Sequence, residues 1–123
     1  MTQKVILDID NALTIPAQDT DDALALALAL VSPELDVLGC TTCAGNCRTP
    51  QSTLNTLRLF EAGGIHCVPV AEGHPTALAR DREAHFHYLA SKSSGPESRY
   101  WENLPEPSDT QQKKDALPAS EFI

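Results

Sequence analysis

VILDIDNALTIPAQDTDDALALALAL, residues 5–30, decides the fold. It begins inside KVILDI, residues 4–9, which is β-branched, leucine-rich and apolar on both faces, as a central strand of a parallel sheet is. It closes on alternating alanine and leucine. That alternation has the period of a strand, yet both residues are strong helix formers and neither is β-branched. Acids before the run suit a helix N-terminus and Ser32-Pro33 suits its end, so a buried helix is expected over Thr20–Val31. Residues 10–19, with Pro16, form the loop between.

Working outward, LDVLGCTTC at 35–43 reads as a second strand, followed by the loop AGNCRTP. Pro50 opens a helix to about Ala62, with Thr49 as its cap and Leu54, Leu57 and Phe60 (or Leu59) as its buried stripe. Gly63-Gly64 stop it, and HCVPVAEG at 66–73 supplies a short third strand. Strand, helix, strand, helix, strand is the opening of an α/β fold, doubly wound and Rossmann-like with a mostly parallel sheet. Residues 81–88 are mixed in pattern and suit a helix, so this α/β part occupies 1–90. Residues 91–115, rich in Ser, Pro, Glu and Lys, read as loop or disorder, and 116–123 as the first turn of a helix cut short.

The 123 residues make one domain at most and carry a net charge of −8. That balance argues against a nucleic acid or an anionic membrane, which call for clustered Lys and Arg; only Lys113 and Lys114 are adjacent. The N-terminus lacks a signal-peptide pattern, and the apolar run at 23–31 is far short of the ~20 residues that span a bilayer. A soluble, cytoplasmic protein with reduced thiols at Cys40, Cys43, Cys47 and Cys67 is expected.

In an open α/β sheet, ligands gather at the carboxyl ends of strands. Asp8 and Asp10 lie at the end of the first strand, Asp19, Asp21 and Asp22 before the first helix, and Asn46 in the loop after the second strand. Three segments thus bring oxygen donors to one rim. Carboxylates so crowded raise one another's pKa unless a cation sits among them, and a hard ion such as Ca²⁺ or Mg²⁺ fits an all-oxygen set. Taken singly, each acid has a plainer role: Asp19 or Thr20 as helix cap, Asp21 and Asp22 as first-turn residues. Capping alone does not account for the whole set.

Asp8-Ile-Asp10, Asp19-Thr-Asp21-Asp22-Ala23 and Thr41-Thr42-Cys43-Ala44-Gly45-Asn46 resemble the inosine–uridine nucleoside hydrolase family. The likeness extends through SPELDVLG, NTLRLFEAGG and VPVAEG, and His85-Phe-His87 resembles a family H-x-H segment. The resemblance implies a doubly wound α/β enzyme, commonly dimeric or tetrameric, that cleaves the N-glycosidic bond of ribonucleosides with bound Ca²⁺. By motif, Asp10 would be the metal-associated general base and Asp22 a calcium ligand. Asp21 and Asn46 would hold ribose hydroxyls, with Asp8 supporting the cluster. His85 and His87 would line the nucleoside pocket, or else lie on a solvated helix face. The linker NALTIPAQ is longer than the family's usual glycine-containing one, which leaves the spacing of Asp10 and Asp22 open. Family members are more than twice this length, so the chain is expected to be the N-terminal portion of such an enzyme.

Three other readings stand beside it. ILDIDNALT also resembles the D-x-D-x-T strand of haloacid dehalogenase-like phosphatases, with Asp8 as nucleophile, Asp10 as acid/base and Mg²⁺ as cofactor. A chain of this length could also fold in part and catalyse nothing. Cys40-x-x-Cys43-x-x-x-Cys47 invites a zinc site, although Cys40 and Cys43 oppose each other on a regular strand and small buried thiols explain them better. His66 and His74, on either side of the third strand, read as surface residues.

Overall fold

The computed structural model describes residues 2–123. Three parallel strands, β1 (Gln3–Ile9), β2 (Leu35–Thr42) and β3 (Val70–Glu72), lie in the order β1-β2-β3. The crossovers carry α1 (Asp21–Val31) and α2 (Thr49–Ala62), as the strand–helix alternation predicts. Beyond β3 come α3 (Glu83–Ser93), a 3₁₀ turn (Pro96–Tyr100) and the short α4 (Ala119–Phe122). No described helix is long and apolar enough to cross a membrane.

Ile9, Leu26, Cys40, Leu57, Phe60 and Val70 form the core, where α1 and α2 meet the sheet. The β1–β2 register slips by one residue between Val5 and Ile6, so Val5 faces Val37 but Ile6 faces Gly39. This bulge lets Val37 and Cys40 both reach the core, which strict alternation forbids. It also turns Gly39 to the other face, where a Cβ would lie 2.5 Å from the Phe122 ring. The last four-residue helix thus covers the side of the sheet opposite α1 and α2.

Several elements differ from expectation. α1 is no buried beam: only Ala23, Leu26 and Ala29 are buried, while Leu24, Leu28 and Val31 are 70%, 66% and 76% exposed. A helix at one side of a single sheet has one face to bury. β3 is shorter than 66–73; Pro69 cannot donate to the ladder, although its carbonyl still accepts Cys40 N–H at 2.9 Å. Thr49 is the first helical residue of α2 rather than its cap, and its hydroxyl donates to His74 O at 3.0 Å. The stretch 91–115 begins with the end of α3 and the 3₁₀ turn. Its irregular remainder is tied down: Gln112 Nε2 donates to Ile65 O at 2.8 Å and Asp115 N–H to Val70 O at 2.7 Å.

Candidate active site

The acids lie where β1 and β2 end. Asp10 follows directly on the last residue of β1, and the loop to α1 folds back so that Asp10 N–H donates to Asp22 Oδ2 at 2.6 Å. The long linker therefore brings the two acids together. What holds it is the polar flank of α2. Asn55 Nδ2 donates to Asn11 O at 3.1 Å, Thr14 Oγ1 to Asn55 Oδ1 at 3.1 Å, and Ser52 Oγ to Ile9 O at 3.3 Å. Asn11, Ser52, Asn55 and Thr56 are wholly buried, so these bonds satisfy groups that water cannot reach. Thr14 and Ala17 adopt left-handed backbone (φ 83° and 57°), a strain this network supports.

The loop after β2 completes the arrangement. Asn46 N–H donates to Asp10 Oδ2 at 2.6 Å, and its side-chain Nδ2 reaches Asp10 Oδ1 at 3.3 Å. Gly45 makes the approach possible: a Cβ there would stand 1.8 Å from Asp10 Oδ2. Cys47 Sγ, buried behind the loop, lies 3.4 Å from Asn11 O and 3.7 Å from Asp10 O, donating weakly to both. On the exposed side of β1, Asp8 accepts Thr41 Oγ1–H at 2.7 Å. Asp21, exposed, accepts the N–H of Asp22 at 2.9 Å, and Asp19 that of Asp21 at 3.3 Å.

Electrostatics mark the same spot. Desolvation, then the neighbouring Asp10 and Asp21 carboxylates, push Asp22 above its ordinary 3.8, against the opposing pull of the Asp10 N–H. Burial, and the charges of Asp8, Asp10 and Asp22, raise the Cys43 thiol to about 11. Cys47 is pushed up to about 12, and Cys40 to about 12 by burial alone. All four cysteines are free, and these three are thiols rather than thiolates at neutral pH.

Asp10, Asp22 and Asn46 thus meet, with Asp8 alongside. The crowding of Asp8, Asp10, Asp19, Asp21 and Asp22 stops short of a common centre: among the described residues no three His, Cys, Asp or Glu side chains converge as a group able to hold a metal. The oxygens of Asp19 and Asp21 face helix N–H donors, and those of Asp10 face Asn46. His87 is exposed on α3. Its neighbour His85 reaches the site loop instead, with Nε2 donating to Gly45 O at 3.0 Å. A cleft of about 240 Å³ between α3 and the loops borders Asn46, lined also by Gln18, Gln51 and Phe86.

Residues 5–123 match the profile of the inosine-uridine preferring nucleoside hydrolases. The chain belongs to that family. It is 46% identical over 77 residues to a probable uridine nucleosidase 2 of Arabidopsis thaliana, a match covering 62% of this chain and 22% of that one. Over 121 residues it is 35% identical to uridine nucleosidase 1 of the same plant, covering 98% of this chain and 32% of the relative. A solved plant nucleoside hydrolase, PpNRh1, superposes with a TM-score of 0.67 at 34% identity, over 99% of this chain and 34% of its own. A purine-preferring ribonucleoside hydrolase from Gardnerella vaginalis gives 0.69 at 26% identity, over 98% and 34%. The chain therefore spans about a third or less of the length of these relatives. The phosphatase reading is not favoured: residues 8–10 lie inside the stretch that matches the nucleoside hydrolase profile, and Asp8 accepts the hydroxyl of buried Thr41.

Proposed function

We propose that this chain carries the water-activating side of an N-ribosyl hydrolase, with Asp10 as general base and a ribonucleoside as substrate. One observation carries the reading: the Asn46 N–H on Asp10 Oδ2 at 2.6 Å, with Asp22 fastened to the Asp10 backbone. Asn46 fixes Oδ2, while Oδ1, engaged only at 3.3 Å, stays free to take a proton from water. Asp21 and Asn46 hold ribose hydroxyls, Asp8 adds negative field, and His87, exposed on α3, contacts the nucleoside only once substrate is bound. Such a field favours a ribosyl transition state of oxocarbenium character. The net charge of −8 suits a small neutral substrate in the cytoplasm rather than a nucleic acid, and family resemblance suggests self-association.

The donor chemistry fits a hard divalent cation. Asp10 and Asp22 are all-oxygen donors, and Asp22 is held above its ordinary pKa by burial first and then by the neighbouring carboxylates, both of which a bound cation would offset. They would hold Ca²⁺, which when bound eases deprotonation of water. The remaining ligands of a calcium shell, usually about six to eight, would come from elsewhere.

The test is release of ribose from inosine and uridine by the purified chain with excess Ca²⁺, beside an Asp10→Asn control. Release that the control abolishes supports the proposal. No release from either supports the second reading, a chain that catalyses nothing alone, for which the incomplete metal group speaks. Calorimetry on the reduced protein addresses the cation: Ca²⁺ should bind in preference to Zn²⁺. Tight zinc binding that a Cys40→Ser/Cys43→Ser variant loses would refute the oxygen site.

A further inference from the structure

α3 buries no residue of its own, yet it is fastened to the site loop at several points. Arg48 forks onto Glu83 at 2.8 and 2.6 Å and lies 4.6 Å over the Phe86 ring. Gln18 Nε2 donates to Leu89 O at 3.0 Å and to Ser93 Oγ at 2.9 Å. Between these anchors stands His85, half-buried, with Nε2 on Gly45 O at 3.0 Å. A carbonyl only accepts, so Nε2 carries the proton.

The Gly45 carbonyl and the Asn46 N–H belong to one peptide unit. Its oxygen accepts from His85, and its N–H donates to Asp10 Oδ2 at 2.6 Å. Hydrogen bonds at the two ends of a peptide polarise each other, so each strengthens when the other forms. They also fix the peptide's orientation from both sides. We propose that His85 is a positioning residue for Asp10, acting through the Gly45–Asn46 peptide. The inference rests on the reading of Asp10 as general base. His85 touches no reacting atom; it sets where the Asp10 carboxylate points and how firmly.

The test compares His85→Phe, which keeps a ring but loses the donor, with His85→Gln, whose amide can replace it. Two measurements are made on the whole chain: amide NMR with hydrogen exchange, and nucleoside cleavage. In His85→Phe the Asn46 amide proton should shift upfield and exchange at least about tenfold faster, while Leu26 and Cys40 amides stay protected. His85→Gln should restore the Asn46 signal. Where uridine is cleaved, His85→Phe should lower kcat about tenfold with KM within about twofold, and His85→Gln should recover most of it. An Asn46 amide unmoved in His85→Phe overturns the proposal. So does loss of protection at Leu26 and Cys40 as well, which would make His85 a general structural prop. If the wild type cleaves no nucleoside, the hydrolase reading fails, and the amide measurement still decides the role of His85.

Discussion

Gly45 is fixed by space. Its backbone lies so near the Asp10 carboxylate that one added carbon would stand at 1.8 Å from it, with no left-handed φ involved. Gly45→Ala should displace Asp10, breaking the bond from Asn46, at a cost of about 2 kcal/mol for a hydrogen bond to a charged group. Thermal unfolding and ribose release would check it; unchanged melting with full activity would count against the geometry. Asp22 gives a pH signature. Its folded pKa is raised, so folded Asp22 keeps its proton to higher pH than unfolded Asp22. Its contribution to stability is therefore fullest below 3.8 and is lost as pH climbs through the raised value. Asp22→Asn, which keeps an oxygen for the Asp10 N–H, should escape that loss. In melts between about pH 3 and 7, the variant should gain on the wild type as pH rises, and Ca²⁺ should narrow the gap. At this scale the sequence already brought Asp10, Asp22 and Asn46 to one rim, because strand ends and the start of the following helix meet at one edge of an open α/β sheet. It did not single out His85 from His87: the two share one helix, and only the docking of α3 decides which reaches Gly45.

α2 shows why its stripe was half legible. Leu57 and Phe60 face the core as helical spacing predicts. The first turns instead bury Thr49, Ser52, Thr53, Asn55 and Thr56, which polarity alone assigns to solvent. They are inside because a loop and two strand ends offer them partners. Asn55→Ala should cost about 2 kcal/mol by leaving buried Asn11 O with only the weak Cys47 thiol as donor, and should weaken calcium binding by loosening the loop that joins Asp10 to Asp22. Chemical denaturation paired with calcium titration separates those effects; a purely global loss would count against the loop's role. In α1, composition misled. Alanine and leucine on every side look buried on every side, and the sequence does not say how many neighbours a helix has. Leu24, Leu28 and Val31, one to two turns apart, form the uncovered face. A Leu24→Lys/Leu28→Glu variant should self-associate less in light scattering at unchanged helix content. Equal association would place the sticky surface elsewhere.

At the scale of the whole molecule, the parallel pairing of three strands was legible from the alternation of strand and helix over 4–73. The trimming of the third strand to Val70–Glu72 and the tied-down 91–115 were not. Pro69 trims the one, and the other owes its order to single bonds onto β3 and α2 that no periodicity announces. Ca²⁺ should raise the melting temperature of the chain, and Asp10→Asn or Asp22→Asn should each abolish most of that rise, by mass action on the folded state. Asp19→Asn should do little beyond a capping loss of ~1 kcal/mol. An equal loss from all three would reduce the acids to diffuse charge. The pairing of β1 with β2 has one more consequence. Asp8, Asp10, Asp22 and Asn46 all lie between residues 8 and 46, and the core that backs them closes with Phe60 and Val70. On a ribosome adding about 5–20 residues per second, the rim can take shape within seconds of β3 leaving the exit tunnel. In a nascent chain the Asp10–Asp22–Asn46 arrangement would then exist before α3 has docked against it.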